Sequence, residues 1–254
     1  LPELDPRRYD AWLFDLDGVL TDTAQLHAAA WKKMFDGFLR ERAAAGGEPF
    51  EPFTREDYLA HVDGKPRLDG VCDFLASRGI HLPEGAPDDE PSAETVHALG
   101  NRKNELVLAA IAAGEVDVYP GSIAFVRRLH EDGTPTAIVS SSRNAAAVIE
   151  AAGIEALFDT RVDGVVAAER GLAGKPAPDT FVAAADRLRV APDRAVVVED
   201  AVSGVRAGRA GGFALVVGVA RESNAEDLTG AGADVVVADL SELTFVSERG
   251  RSDH

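Results

Sequence analysis

The apolar run Ala11-Trp12-Leu13-Phe14 stops at Asp15-Leu16-Asp17-Gly18-Val19, and no other feature of the chain restricts the fold so tightly. A short, wholly apolar run reads as a strand buried on both faces, the kind found in parallel sheets covered by helices. Open sheets of that type place their ligands at the carboxyl ends of the strands, where the two acids fall. Asp15 and Asp17 occupy alternate positions, so on an extended chain their side chains share a face. Carboxylates so close repel each other unless a divalent cation or a proton separates them. Standing alone, Asp-x-Asp-Gly serves equally well as a turn or a helix cap.

Three further elements bear on that choice. Ala137-Ile138-Val139 is a second apolar run, followed by Ser140-Ser141-Ser142-Arg143-Asn144, whose hydroxyls and turn-forming backbone supply donors for a phosphate. Gly174-Lys175-Pro176-Ala177-Pro178-Asp179 sets a lysine in a proline-stiffened loop. Ala195-Val196-Val197-Val198 runs into Glu199-Asp200, a third strand ending in acids. Singly, these are a helix start, a solvated lysine and a surface acid pair. In this order, and mostly at strand ends, they support one reading together.

From Val116 onward strand and helix patterns alternate, which predicts an α/β fold: a doubly wound parallel sheet with a Rossmann-like core. The first strand and the Ser140 strand are ~120 residues apart, far more than one crossover needs. Helical periodicity over Leu26–Phe38 and Val96–Ala112, with loops at Gly46–Pro52 and Leu82–Asp89, predicts an inserted α-helical cap domain. The expected division is residues 1–23 and 116–254 for the catalytic core and 24–115 for the cap. Ser247–His254 reads as a polar tail.

A formal net charge of −17 disfavours nucleic acid and anionic membrane surfaces as partners, and leaves any anionic substrate to be held by local cations. No apolar stretch approaches the ~20 residues of a membrane span, and the first residues carry no apolar signal core, so a cytoplasmic protein is expected. Cys72, the single cysteine, excludes an intramolecular disulfide and reads as a small buried residue.

The four motifs together resemble the haloacid dehalogenase-like superfamily of phosphotransferases, over roughly residues 10–245. The resemblance implies Asp15 as nucleophile and Asp17 as general acid/base, with Ser140 and Lys175 on the transferring phosphoryl oxygens. It also implies a Mg²⁺ ion held by Asp15, the Asp17 main-chain carbonyl and Asp200, with Glu199 contributing directly or through water. Dehalogenases of the superfamily lack an acid at the position of Asp17, so phosphoryl transfer is favoured over carbon–halogen cleavage.

Within the superfamily the cap is similar to that of β-phosphoglucomutases. Asp22-Thr23-Ala24, His27 and Trp31 match the hinge and first cap helix, and Arg102-Lys103-Asn104 implies Lys103 as partner of His27. Gly64-Lys65-Pro66-Arg67 matches the cap loop that carries an arginine for the non-transferring phosphate. Ser141, Ser142, Arg143 and Asn144 match core residues around the distal phosphate and sugar. Lys65-Pro66 departs from the family pattern, and the segments Leu39–Phe53 and Ile80–Ser92 are longer, which leaves another sugar phosphate, such as a disaccharide phosphate, open as substrate. The function implied first is a mutase converting β-glucose 1-phosphate to glucose 6-phosphate, with β-glucose 1,6-bisphosphate as intermediate and activator. The alternatives are a sugar-phosphate phosphatase of the same fold and, from another class, a non-catalytic sugar-phosphate-binding module. A monomer is expected, since no long heptad pattern is present.

Overall fold

The computed structural model describes residues 3–4, 8–62, 67–221 and 224–245. Six parallel strands form the main sheet: β1 (Ala11–Phe14), β2 (Thr136–Val139), β3 (Thr160–Val162), β4 (Ala195–Glu199), β5 (Leu215–Val219) and β6 (Val235–Val237). Their order is β3-β2-β1-β4-β5-β6, so the direction of winding reverses between β1 and β4. A separate parallel pair joins Glu3–Leu4 to Thr244–Phe245. The chain divides into two compact units, one from the residues up to Thr23 with those from Val116 onward, the other Ala24–Glu115.

The insert contains α1 (Thr23–Ala44, whose first residue belongs to the other unit), α2 (Arg67–Ser77) and α3 (Val96–Ala112). Between α1 and α2 a helical turn, Arg55–Asp57, runs into a π-helical turn, Tyr58–Val62. Trp31, Met34, Phe35 and Phe38 recur at helical spacing and bury one stripe of α1. They meet Phe53, Phe74 and Leu99, with the Phe35 and Phe74 ring centroids 4.2 Å apart. Thr95 caps α3 by accepting from the Ala98 N–H at 3.0 Å, which is why that helix begins where its apolar period begins.

Three sequence expectations change here. Helix α1 runs past Phe38, where the helical periodicity was expected to end, through Leu39 to Ala44, the first part of the longer Leu39–Phe53 segment. Arg67 is the first residue of α2 instead of a loop residue. Cys72 is exposed, because Val71, Phe74 and Leu75 define the buried stripe of α2 and position 72 falls outside it.

In the core unit, helices α4 (Pro120–Glu131), α5 (Ala145–Ala152), α6 (Gly164–Arg170), α7 (Asp179–Leu188), α8 (Val202–Ala210) and α9 (Ala225–Ala231) alternate with the strands. β1 is apolar throughout because both of its faces are covered. Ala11 and Leu13 join a cluster with Phe181, Val197 and Phe213, while Trp12 and Phe14 pack edge-on against Phe125. No helix among the described residues is long and apolar enough to cross a membrane.

Candidate active site

β1 and β4 are neighbours where the strand order reverses, and both end in acids. Phe14 is level with Val198, and the Asp15 N–H donates to the Val198 carbonyl at 2.9 Å, so Asp15 and Glu199 leave the sheet side by side. Beyond Asp15 the chain folds back in a tight turn. The Gly18 N–H donates to the Thr21 carbonyl at 2.8 Å, and the Thr21 N–H to the Leu16 carbonyl at 3.0 Å. Gly18 has φ +83°, and a Cβ there would stand 1.9 Å from Asp200 Oδ2. Only glycine satisfies both the backbone and the close approach of Asp200.

Lys175 reaches the same point from the loop between α6 and α7, next to a cis Lys175-Pro176 bond. Its ammonium donates to Asp15 Oδ1, to Glu199 Oε1 at 2.6 Å and to the Val139 carbonyl at 3.2 Å. The Lys175 side chain is 7% exposed and that of Glu199 1%, so this is a buried bridge between two acids. The second oxygen of Glu199 accepts from the Ala201 N–H at 2.9 Å. Ser140, at the end of β2, donates to Asp17 Oδ2 at 3.4 Å, and the Thr23 hydroxyl donates to Asp17 Oδ1. The Ser142 N–H donates to Ser140 Oγ at 3.0 Å and the Asn144 N–H to Ser142 Oγ at 3.1 Å, which orders the loop. Ser141 and Arg143 are exposed on that loop, and Arg143 makes no hydrogen bond or ion pair with a described residue.

Burial, opposed by Lys175 and reinforced by Glu199 and Asp17, leaves the Asp15 carboxyl pushed up to about 8. Asp200 is raised in the same direction, first by burial, then by Glu199 and Asp15. Burial alone would lower Lys175, but Asp15 and Glu199 outweigh it and hold the ammonium firmly protonated. One ammonium thus serves an acid cluster larger than it can neutralise. The cluster offers carboxylate and main-chain oxygens and no thiol or imidazole, a donor set that suits a hard divalent cation such as Mg²⁺. No three acid, thiol or imidazole side chains among the described residues are gathered into a ready-made cage. That is normal for Mg²⁺, which takes one or two carboxylates and keeps water or phosphate oxygens.

Inside the insert, Lys103 Nζ lies 2.7 Å from His27 Nδ1 and 5.1 Å from the Trp31 ring centroid, with Lys103 5% exposed. Arg67 Nη2 donates to Asn104 Oδ1 at 3.0 Å. Gly64 lies outside the described residues. So the structure brings Asp15, Asp17, Thr23, Ser140, Lys175, Glu199 and Asp200 together in the core unit, and His27, Trp31 and Lys103 together in the insert. Sequence reasoning passed over Thr21, whose buried hydroxyl donates to the Leu16 carbonyl at 3.1 Å and holds the turn. It also passed over Asn224, which donates to the Asp200 carbonyl at 3.1 Å. Both lie within a few residues of a strand end, the one signal that could have found them.

Fold and site together define a doubly wound α/β core that carries an acid cluster bridged by lysine at the switch point of its sheet. A family model described as haloacid dehalogenase-like hydrolase matches residues 9–212, and the chain belongs to that family. Its place there is the β-phosphoglucomutase-like branch. The chain is 51% identical over 242 residues to the β-phosphoglucomutase of Mycobacterium tuberculosis, covering 94% of this chain and 92% of that one. It is 30% identical to the Bacillus subtilis β-phosphoglucomutase, covering 92% of each. The crystal structure of β-phosphoglucomutase from Clostridium difficile superposes with a TM-score of 0.69 at 25% identity, again covering 92% of each chain.

Proposed function

We propose that the chain is a β-phosphoglucomutase, interconverting β-glucose 1-phosphate and glucose 6-phosphate through β-glucose 1,6-bisphosphate. The observation that carries this reading is the buried Asp15–Lys175–Glu199 bridge with Asp17 beside it at the switch point of the sheet. The likeness to the M. tuberculosis enzyme over nearly the whole chain supports the choice of sugar.

Asp15 attacks phosphorus in line with the departing sugar oxygen, and the phosphoryl group passes to the carboxylate as an aspartyl-phosphate. An acid held near pH 8 by burial is a poor nucleophile at neutral pH, so the site needs positive charge beyond Lys175. Asp15, Asp200 and the Asp17 carbonyl would hold Mg²⁺, with Glu199 close by; when bound, the ion supplies charge neutralisation for a dianionic substrate. Lys175 meets the equatorial oxygens and limits repulsion around Asp15, and Ser140 donates to the same oxygens. Asp17, oriented by Thr23 and Ser140, protonates the leaving oxygen in one half-reaction and deprotonates the attacking hydroxyl in the other. Arg143 in the core unit and Arg67 in the insert each offer a guanidinium fork that matches the oxygens of a phosphate that is not reacting. His27 and Lys103 sit at the base of α1 as one unit and set the hinge of the insert.

Phosphorus NMR of β-glucose 1-phosphate with Mg²⁺ and a trace of the 1,6-bisphosphate tests the proposal. Stoichiometric glucose 6-phosphate is expected. Inorganic phosphate as the main product would replace the mutase with a phosphatase, and absence of any turnover with tight binding would leave a sugar-phosphate-binding module.

A further inference from the structure

Arg221 follows β5 at the carboxyl edge of the sheet, and no sequence motif singles it out. Its side chain is only 15% exposed, and all five guanidinium N–H groups are used. Nε donates to the Gly18 carbonyl at 2.9 Å and Nη2 to the Val19 carbonyl at 3.1 Å. Nη2 also donates to Ser122 Oγ at 2.9 Å, and Nη1 to Asp239 Oδ2 at 2.8 Å and to the Ala238 carbonyl at 3.2 Å. One face of the group lies 3.6 Å from the Tyr119 ring centroid.

These partners come from three separate parts of the core unit. Gly18 and Val19 belong to the turn that follows Asp15 and Asp17. Tyr119 and Ser122 belong to the start of α4, where the chain returns from the insert. Ala238 and Asp239 follow β6. Asp239 reaches this position because residue 121 is glycine: a Cβ there would stand 1.8 Å from Asp239 Oδ1. The same turn is also met by Asp200, across the missing Cβ of Gly18. The turn that carries the Asp17 side chain and carbonyl is therefore met by both Asp200 and Arg221.

We propose that Arg221 is a positioning residue for phosphoryl transfer, a five-point clamp that fixes the Asp15–Thr21 turn and with it the register of Asp17 against Asp200. It touches no reacting atom and acts through the Gly18 and Val19 carbonyls. The clamp needs a planar fork with five donors, so a lysine, with three donors about one point, cannot substitute. The inference rests on Asp15 and Asp17 having the roles given above.

The test uses the whole chain as Arg221→Lys, Arg221→Met and Ser122→Ala, with Arg194→Ala as a control that breaks an exposed pair with Asp10 just before the amino ends of β1 and β4. Two quantities are read below the melting temperature of each variant: kcat and KM for β-glucose 1-phosphate, and the Mg²⁺ dissociation constant of the substrate-free protein by calorimetry. Arg221→Lys is expected to lower kcat ~10–100-fold and weaken Mg²⁺ ~10-fold, as loss of an outer support of a metal site does. KM should stay within about threefold, since the sugar contacts are untouched, and Ser122→Ala should show a smaller loss of the same kind. Arg221→Lys and Ser122→Ala with wild-type kcat and Mg²⁺ affinity would overturn the proposal, as would an equal loss in Arg194→Ala. Were the wild type to bind Mg²⁺ but not turn over glucose phosphates, the substrate reading would fall while the Mg²⁺ arm still decided the role of Arg221.

Discussion

Asp15, the proposed nucleophile, sits in a contradiction that explains much of the site. A nucleophile must be ionised, yet burial and two neighbouring acids hold its carboxyl near pH 8. Folded, Asp15 keeps its proton to about 8; unfolded, it loses it near 4. Between those values the folded chain binds more protons than the unfolded one, so stability of the metal-free protein falls as pH rises from about 4 to about 8. Asp200 shifts in the same direction and adds to the effect. Mg²⁺ competes with these protons, so the gain in melting temperature between EDTA and saturating Mg²⁺ should grow steadily from pH 6 to 8.5. A gain that is flat or shrinks over that range would contradict the charge balance described here. The proton transfer proposed for Asp17 is separable: Asp17→Asn keeps its Ser140 and Thr23 neighbours but cannot shuttle a proton, and kcat should fall ~10²–10⁴-fold. Stopped-flow assay with pre-formed phosphoenzyme measures that step directly.

At the scale of elements, the supports of the site are places where a side chain is missing. A Cβ on Gly204 of α8 would stand 1.7 Å from Glu199 Oε1, so Gly204→Ala must displace a buried carboxylate that pairs with Lys175. Overpacking of this kind costs about 1–3 kcal/mol, and urea denaturation should register it together with a drop in kcat. Gly164, at the start of α6, backs the Ser140–Asn144 loop: a Cβ there would meet the Ser141 carbonyl at 2.6 Å, main chain that cannot swing aside. Gly164→Ala should raise KM for the sugar phosphate about tenfold, or ~1.4 kcal/mol of binding, with stability less affected than in Gly204→Ala. What was legible beforehand follows from the same physics. β1, β2 and β4 are buried on both faces, so Ala11–Phe14, Ala137–Val139 and Ala195–Val198 are unbroken apolar runs, and the polar residue that ends each run is conspicuous. Cys72 was expected inside because a lone cysteine usually behaves as a small buried residue, and the phase of α2, which turns position 72 outward, was not read. Arg221 left no trace either: its donors go mostly to carbonyls, and a carbonyl has no residue-type signature. Glycines read in sequence as turns, whereas Gly164 and Gly204 matter for the space they leave.

For the whole molecule, the important feature is where the insert leaves and rejoins the core unit. Thr21 and Val118 form an antiparallel bridge, the Asp22 N–H donates to the Asp117 carbonyl at 2.9 Å, and the Tyr119 N–H donates to the Leu20 carbonyl at 3.0 Å. The outgoing and returning strands are thus zipped together up to the point where Ala24–Glu115 begins. Replacing that whole segment with Asn-Gly, a dipeptide suited to a tight reversal, should leave a core unit with a native circular dichroism spectrum and Mg²⁺ binding. The same variant should lose discrimination between glucose and other sugar phosphates, read as a collapse of the ratios of kcat/KM. In topological terms the chain is a hairpin whose tip has been opened to admit a domain. A cassette carried in that way can be exchanged between relatives without retuning the acids at the strand ends. On the proposed function, the insert sets much of the choice of sugar and the acids at the strand ends carry the phosphate chemistry, so a new insert would change the substrate without a new catalytic centre.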